Sequence, residues 1–257
     1  MKLHHKECGS GKPLIILHGL FGSLDNWGTI AKCLAEYFKV YVIDQRNHGN
    51  SPHAYEVSYE LMAEDLEEFM AEHDLDSASI MGHSMGGKTA MQFAFTYSQK
   101  VDKLVVVDIS PRDGGVGHTE VRDALRALRA IDLENIRTRR QASEQMKPHI
   151  KDIAIRQFLL KGLTRDEDGK FKWRVNLDAI SSNFDRIVGG VNGRPFDKPC
   201  LFIRGGNSDH IDDEDWGEIR ECFPQAELVT IPGAGHWVHV DAPDVFKKAL
   251  LDYFHSE

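Results

Sequence analysis

Apolar residues fall along this chain in two rhythms. Six short runs are apolar almost without a break: PLIILHG (13–19), KVYVIDQ (39–45), SASIMGHS (77–84), KLVVVDIS (103–110), PCLFIRGG (199–206) and AELVTIPG (226–233). A continuous run, unlike an alternating one, marks a strand covered on both faces. Most of the runs end in Gly, Asp or Ser, which suits turns at the C-terminal ends of strands. Between them the spacing lengthens to that of a helix. Over 58–73, SYELMAEDLEEFMAEH sets Leu61, Met62, Leu66, Phe69 and Met70 on one face, and Ser58 is placed to cap its start. Residues 85–98 and 243–254 read the same way. Strand alternating with helix predicts an α/β fold, with a mostly parallel central sheet and helices on both faces.

The alternation breaks between 112 and 195. There TEVRDALRALRA (119–130) and IKDIAIRQFLLKG (150–162) read as helices, and FKWRV (171–175) as a short strand. The pattern predicts one domain with its core at 1–111 and 196–257 and a helical lid inserted at 112–195. The lid holds 17 basic and 12 acidic residues, leaving 14 basic and 28 acidic in the core. A positive lid would favour anionic substrates. Solvated arginines on a helical surface give the same count.

Composition narrows the class. With 257 residues and 41% hydrophobic content, the chain is long enough for one large domain with a buried core. Its net charge of −9 argues against nucleic acid or an anionic membrane as the main partner. None of the four cysteines sits in a CxxC pair, so neither a metal nor a redox motif is expected. The N-terminal MKLHHKECGSGKP has no apolar leader segment, and no apolar run approaches a membrane span. A soluble, reduced, cytoplasmic protein is the expectation. Oligomeric state is not legible.

The chemistry gathers around IMGHSMGGKTA, residues 80–90. A strand precedes Ser84 and a helix follows it at once. Such a turn drives its central residue toward unfavourable backbone angles. Side chains two positions before or after would collide, and Gly82 and Gly86 have none. The glycines thus let a strained serine project its hydroxyl above the sheet. The motif alone is weak, and its flanking strand and helix give it meaning. The helix N-terminus then points unpaired N–H groups at the spot, and the N–H of Met85 is placed to stabilise an oxyanion. In HGLFGS (18–23) the glycines let a backbone N–H approach a ligand, which makes Leu20 the second donor. A serine needs a base. Among the 13 histidines, His236 stands out, in IPGAGHWVHVDAP after the last strand. His239 is the second choice. His18 is expected to hydrogen-bond within its loop, and His83 to be a turn residue.

HGLFGS, DQRNHGNS (44–51), GHSMGG (82–87) and GAGHW (233–237), in that order, resemble the α/β-hydrolase superfamily and, more narrowly, bacterial YbfF-type esterases. The resemblance covers almost the whole chain. It implies an acyl hydrolase with Ser84 as nucleophile, His236 as base, a backbone oxyanion hole and no cofactor. One position departs from the common pattern. The acid usually follows the strand after the lid, in G-x-x-D-x-x-[IV]; here GGNSDHI puts Ser208 at that place and Asp209 one residue late. Some members of the superfamily carry the acid at the end of the strand before the lid, where this chain has Asp108. Asp108 is therefore the expected acid, with Ser208 as a fourth member hydrogen-bonding beside it and Asp209 as the alternative. As a rival reading, Asp108 is a turn or cap residue ahead of Pro111.

The implied activity is a serine carboxylesterase acting on small to medium acyl esters, extending to acyl-coenzyme A thioesters. Phe158, Leu159, Trp173 and Phe184 are candidates to line an acyl pocket or to form lid core. The alternatives are a carbon–carbon bond hydrolase of the same fold and a non-catalytic binding protein. A haloalkane dehalogenase is disfavoured, since it needs a carboxylate where Ser84 stands.

Overall fold

The computed structural model describes residues 1–113 and 115–255. All six apolar runs form strands. In chain order the strands are β1 (His5–Cys8), β2 (Lys12–Leu17), β3 (Phe38–Ile43), β4 (Ala78–His83) and β5 (Val101–Val107), then β6 (Leu163–Arg165), β7 (Phe171–Trp173), β8 (Cys200–Gly205) and β9 (Ala226–Ile231). Seven of them make one sheet in the order β1-β3-β2-β4-β5-β8-β9. Every pairing in it is parallel except β1 with β3. The sequence reading missed β1. HKEC is short and polar and pairs on one side only, so it carries no apolar signal.

The helices α1 (Gly28–Leu34), α2 (Tyr59–Glu72) and α3 (Met85–Thr96) fall between the early strands. Ser58 caps α2 as expected, accepting from the Leu61 N–H. Between β5 and β8 lie α4 (Gly115–Arg129), α5 (Arg139–Met146), α6 (Ile153–Leu160), α7 (Leu177–Ser182) and α8 (Phe184–Val188), with β6 and β7 as an antiparallel hairpin. After β8 come α9 (Asp215–Cys222), α10 (Val238–Asp241) and α11 (Pro243–His255).

Strand periodicity sorts the core into two layers. Ile15, Leu17, Ile80, Leu104, Val106 and Phe202 face α2, α3 and the helices that follow β5. Leu14, Ile16, Met81, Val105, Leu201 and Ile203 face α1 and α11. Each such side chain contributes about 1.5–3 kcal/mol by leaving water. This two-sided burial is why five of the runs are continuously apolar; β9 is an edge strand that buries only Ile231 and exposes Glu227 and Thr230, so the expectation of two covered faces fails there.

Register then positions the site. Leu17 pairs with Gly82, His83 with Val107, and Val107 with Ile203. The C-terminal ends of β2, β4, β5 and β8 therefore lie level, and the residues just beyond them share one edge. Open α/β sheets bind their ligands at that edge.

Candidate active site

Ser84 takes φ 53° and ψ −119°, left-handed backbone that non-glycine residues rarely adopt. It is the N-cap of α3, and its N–H is held by the Val107 carbonyl at 3.0 Å. A Cβ on Gly82 would run into the Gly86 carbonyl, and one on Gly86 would come within 2.5 Å of the Leu17 carbonyl. The turn that the two glycines imply is the turn the chain makes. Met85 is the first residue of α3, so its N–H has no partner within the helix.

His236 lies in the loop between β9 and α10. Its Nδ1–H donates to Asp108 Oδ2 at 2.8 Å, which leaves Nε2 unprotonated. Its carbonyl accepts from His83 Nε2 at 2.8 Å. Burial drives His236 well below the usual imidazole range, and His210 adds to the effect, so the ring is held neutral. His83 is less a turn residue than a buried support; burial pushes it to about 3.

Asp108 follows β5 directly, fully buried and at φ 52°. Its Oδ1 accepts from the Gly205 N–H at 2.8 Å, and its Oδ2 accepts from the Ser208 hydroxyl. Burial raises its pKa, while Ser208 and then Gly205 oppose the rise. Asp209 is exposed, and the carboxylate bonded to His236 is Asp108's.

The loop after β2 is fixed by residues the sequence reading did not assign. His18 Nδ1–H donates to the Gly19 carbonyl at 2.8 Å, within its loop as expected. Its Nε2 accepts from the Gln45 N–H at 3.0 Å. His48 donates from Nδ1 to the Arg46 carbonyl and accepts the Phe21 N–H at Nε2, 3.3 Å away. Burial pushes His18 to about 4 and His48 to about 3, which keeps both rings neutral in these double roles. Phe21 carries the strain at φ 61°. Asp44 braces the same loop, accepting from the N–H groups of Leu24 at 2.8 Å and Asn50 at 2.9 Å. DQRNHGNS is thus the scaffold of the HGLFGS loop, a role visible only once β3 lies beside β2.

Gly19, Leu20, Ser84, Met85 and His236 open onto one cavity of about 420 Å³. Its lining is mainly apolar. Phe158 and Leu159 belong to it; Trp173 and Phe184 do not, and pack on the main core instead. His239 also lines it, stacked on Trp27 at 4.2 Å. The charged lining residues are Glu120, Asp123 and Asp152 against Lys151 and Lys88. The net positive charge of the segment after β5 therefore does not extend to the cavity wall. Among the described residues, no cluster of His, Cys, Asp or Glu could hold a metal ion, and no helix is long and apolar enough to cross a membrane.

A serine strained on a strand-to-helix turn, above the level strand ends of a parallel sheet, defines the class of α/β hydrolases. The chain belongs to the α/β hydrolase fold family, whose model matches residues 12–145. It is 39% identical over 247 residues to the sn-1-specific diacylglycerol lipase ABHD11 of Mus musculus, covering 93% of this chain and 80% of that protein. It is 38% identical over 248 residues to esterase YbfF of Escherichia coli strain K12, covering 96% and 94%. A solved structure described as a marine microorganism esterase superposes with a TM-score of 0.96 at 47% identity, over 98% of this chain and 99% of that one. The chain is thus a hydrolase with esterases and lipases as relatives.

Proposed function

We propose that this chain is a serine carboxylesterase working through an acyl-enzyme on Ser84. The observation that carries the reading is the strained Ser84 turn sharing a cavity with His236, whose other ring nitrogen is bonded to Asp108. Neutral His236 takes the Ser84 proton at Nε2 as the hydroxyl oxygen attacks the ester carbonyl. Asp108 holds the ring's tautomer and stabilises the imidazolium, and Ser208 keeps that carboxylate charged. The N–H groups of Leu20 and Met85 receive the oxyanion, and losing one such donor costs about 3–4 kcal/mol. His236 then protonates the departing alcohol and activates the water that frees the acid.

The substrate is a small-molecule ester with an apolar acyl part, held under the helical lid formed by residues 112–195. The carboxylates Glu120, Asp123 and Asp152 along the wall favour a neutral leaving group. Acyl-coenzyme A thioesters, anionic in the leaving group, form the second arm of the test.

That test is a panel of p-nitrophenyl esters and acyl thioesters, with Ser84→Ala as control and fluorophosphonate labelling read by mass spectrometry. Ester turnover that disappears in Ser84→Ala, with an adduct on Ser84, is the expected result. Folded protein that never labels there overturns the reading.

A further inference from the structure

One face of His236 is covered by a second imidazole. The His210 ring lies on it with centroids 3.7 Å apart and planes 30° apart. His210 comes from the loop after β8, and its N–H donates to the Ser208 hydroxyl oxygen at 3.4 Å. From α4, Glu120 reaches across to accept from His210 Nε2 at 3.2 Å. Glu120, His210 and His236 all face the same cavity. A second carboxylate–imidazole pair, its acid borne by the helical segment, thus stands against the first.

We propose that Glu120 and His210 are positioning residues for turnover at this site: the carboxylate on α4 holds the His210 ring flat, and that ring orients His236 and tunes its uptake of the Ser84 proton. The inference rests on the serine mechanism above. Neutral His210, donating its Nε2–H to Glu120, offers a π face to the imidazolium that His236 becomes. Protonated His210 instead sets a like charge against it, so the two rings do not both charge at little cost. The other titratable groups facing the pair are His83 from β4, Asp108 from the end of β5 and His239 from α10. The bond from His210 holds the Glu120 carboxyl below the usual carboxylate range.

The test uses the full chain and a p-nitrophenyl ester, with kcat, KM and the pH profile measured for His210→Ala, His210→Phe, Glu120→Ala, Glu120→Gln and the double alanine variant. His210→Ala and Glu120→Ala should each lower kcat about tenfold with KM within about twofold. The double variant should lose no more than His210→Ala alone. Glu120→Gln, which still accepts the His210 proton, should recover most of kcat. His210→Phe keeps a flat ring that cannot charge but gives up the bond to Glu120. Its plateau kcat should fall as in Glu120→Ala, while the acid limb of kcat/KM moves up by about half a pH unit or more. Wild-type kcat and acid limb in both single alanine variants, or additive losses in the double, overturn the proposal. Turnover retained in Ser84→Ala sinks the serine reading and this inference with it. Turnover that depends on Ser84, with silent Glu120 and His210 variants, sinks this inference alone.

Discussion

His236 and Asp108 lie 128 residues apart in the chain and 2.8 Å apart in space. Parallel register brings them together, because β5 pairs with β8 and β8 with β9, so the residues just beyond these strands share one edge of the sheet. The arrangement is costly. A fully buried carboxylate forfeits several kcal/mol of hydration. Its φ of 52° adds about 1–3 kcal/mol of strain. Gly205, Ser208 and His236 offset the first cost by donating to its two oxygens. A mere turn residue would gain nothing from such a setting.

Replacing that carboxylate separates it from its neighbour in sequence. Asp108→Asn presents an amide to Nδ1, inverts the tautomer of His236 and should lower kcat by about 10⁴. Asp209→Asn changes an exposed side chain and should leave kcat within about twofold. Steady-state kinetics on both, with circular dichroism to verify folding, makes the comparison. Collapse of turnover in Asp209→Asn alone would reverse the assignment.

Removing the Ser208 hydroxyl should shift activity along the pH axis. Burial raises the Asp108 pKa, and the bond from Ser208 is the largest influence opposing it. Ser208→Ala lets the carboxyl climb further, and its protonated form no longer accepts the His236 proton. The acid limb of kcat/KM should therefore move to higher pH. A hydrogen bond to a charged group is worth about 1.5–3 kcal/mol, or roughly one to two pH units. Ser208→Thr retains a hydroxyl and should keep the wild-type profile. An unchanged limb in Ser208→Ala would deny Ser208 this role.

Both glycines of the serine turn should resist substitution for steric reasons. The Cβ of Gly86→Ala would approach the Leu17 carbonyl to 2.5 Å, and that of Gly82→Ala would meet the Gly86 backbone. Neither obstacle is a flexible side chain, so β2, β4 or α3 must move. Each variant should lose about 3 kcal/mol or more in urea unfolding, at the severe end of single substitutions. Gly217→Ala is the control, since its Cβ would meet nothing within 4 Å. Stability equal to wild type in Gly82→Ala would show that the turn has slack.

Much of this was legible in the residues because the physics was local. Two-sided burial wrote five of the six apolar runs, all but the edge strand β9, and the strand-to-helix turn wrote the spacing of Gly82, Ser84 and Gly86. What escaped depends on contacts across the sheet or on no apolar signal at all. His48 reads as one histidine among many until β3 lies beside β2 and its Nε2 meets Phe21. The positive φ of Phe21 and Asp108 breaks the rule that glycine marks such positions. Asp108 follows only from a resemblance, because the pattern after β8 points to Ser208. His210 and Glu120 are 90 positions apart, and no spacing rule connects them.

Lys88 yields a prediction about stability and pH. It sits one turn into α3 and is buried, with Nζ donating to the carbonyls of Arg112 at 2.8 Å, Val188 at 3.4 Å and Gly189 at 2.6 Å. One cation thus ties α3 to both ends of the helical segment between β5 and β8. Burial lowers its pKa from 10.5 to about 8, with Asp113 opposing the shift. The folded chain therefore releases this proton earlier than the unfolded chain does. Between about 8 and 10.5 the unfolded state holds more protons, so this group's contribution to stability rises with pH in that window. The full burial cost is present below it. In Lys88→Met that slope should vanish. Urea unfolding of both proteins across the window should show the wild type gaining roughly 3 kcal/mol relative to Lys88→Met. The other titrating groups are shared, so the difference isolates Lys88 from them. Parallel curves would mean that its three carbonyls compensate the buried charge in full.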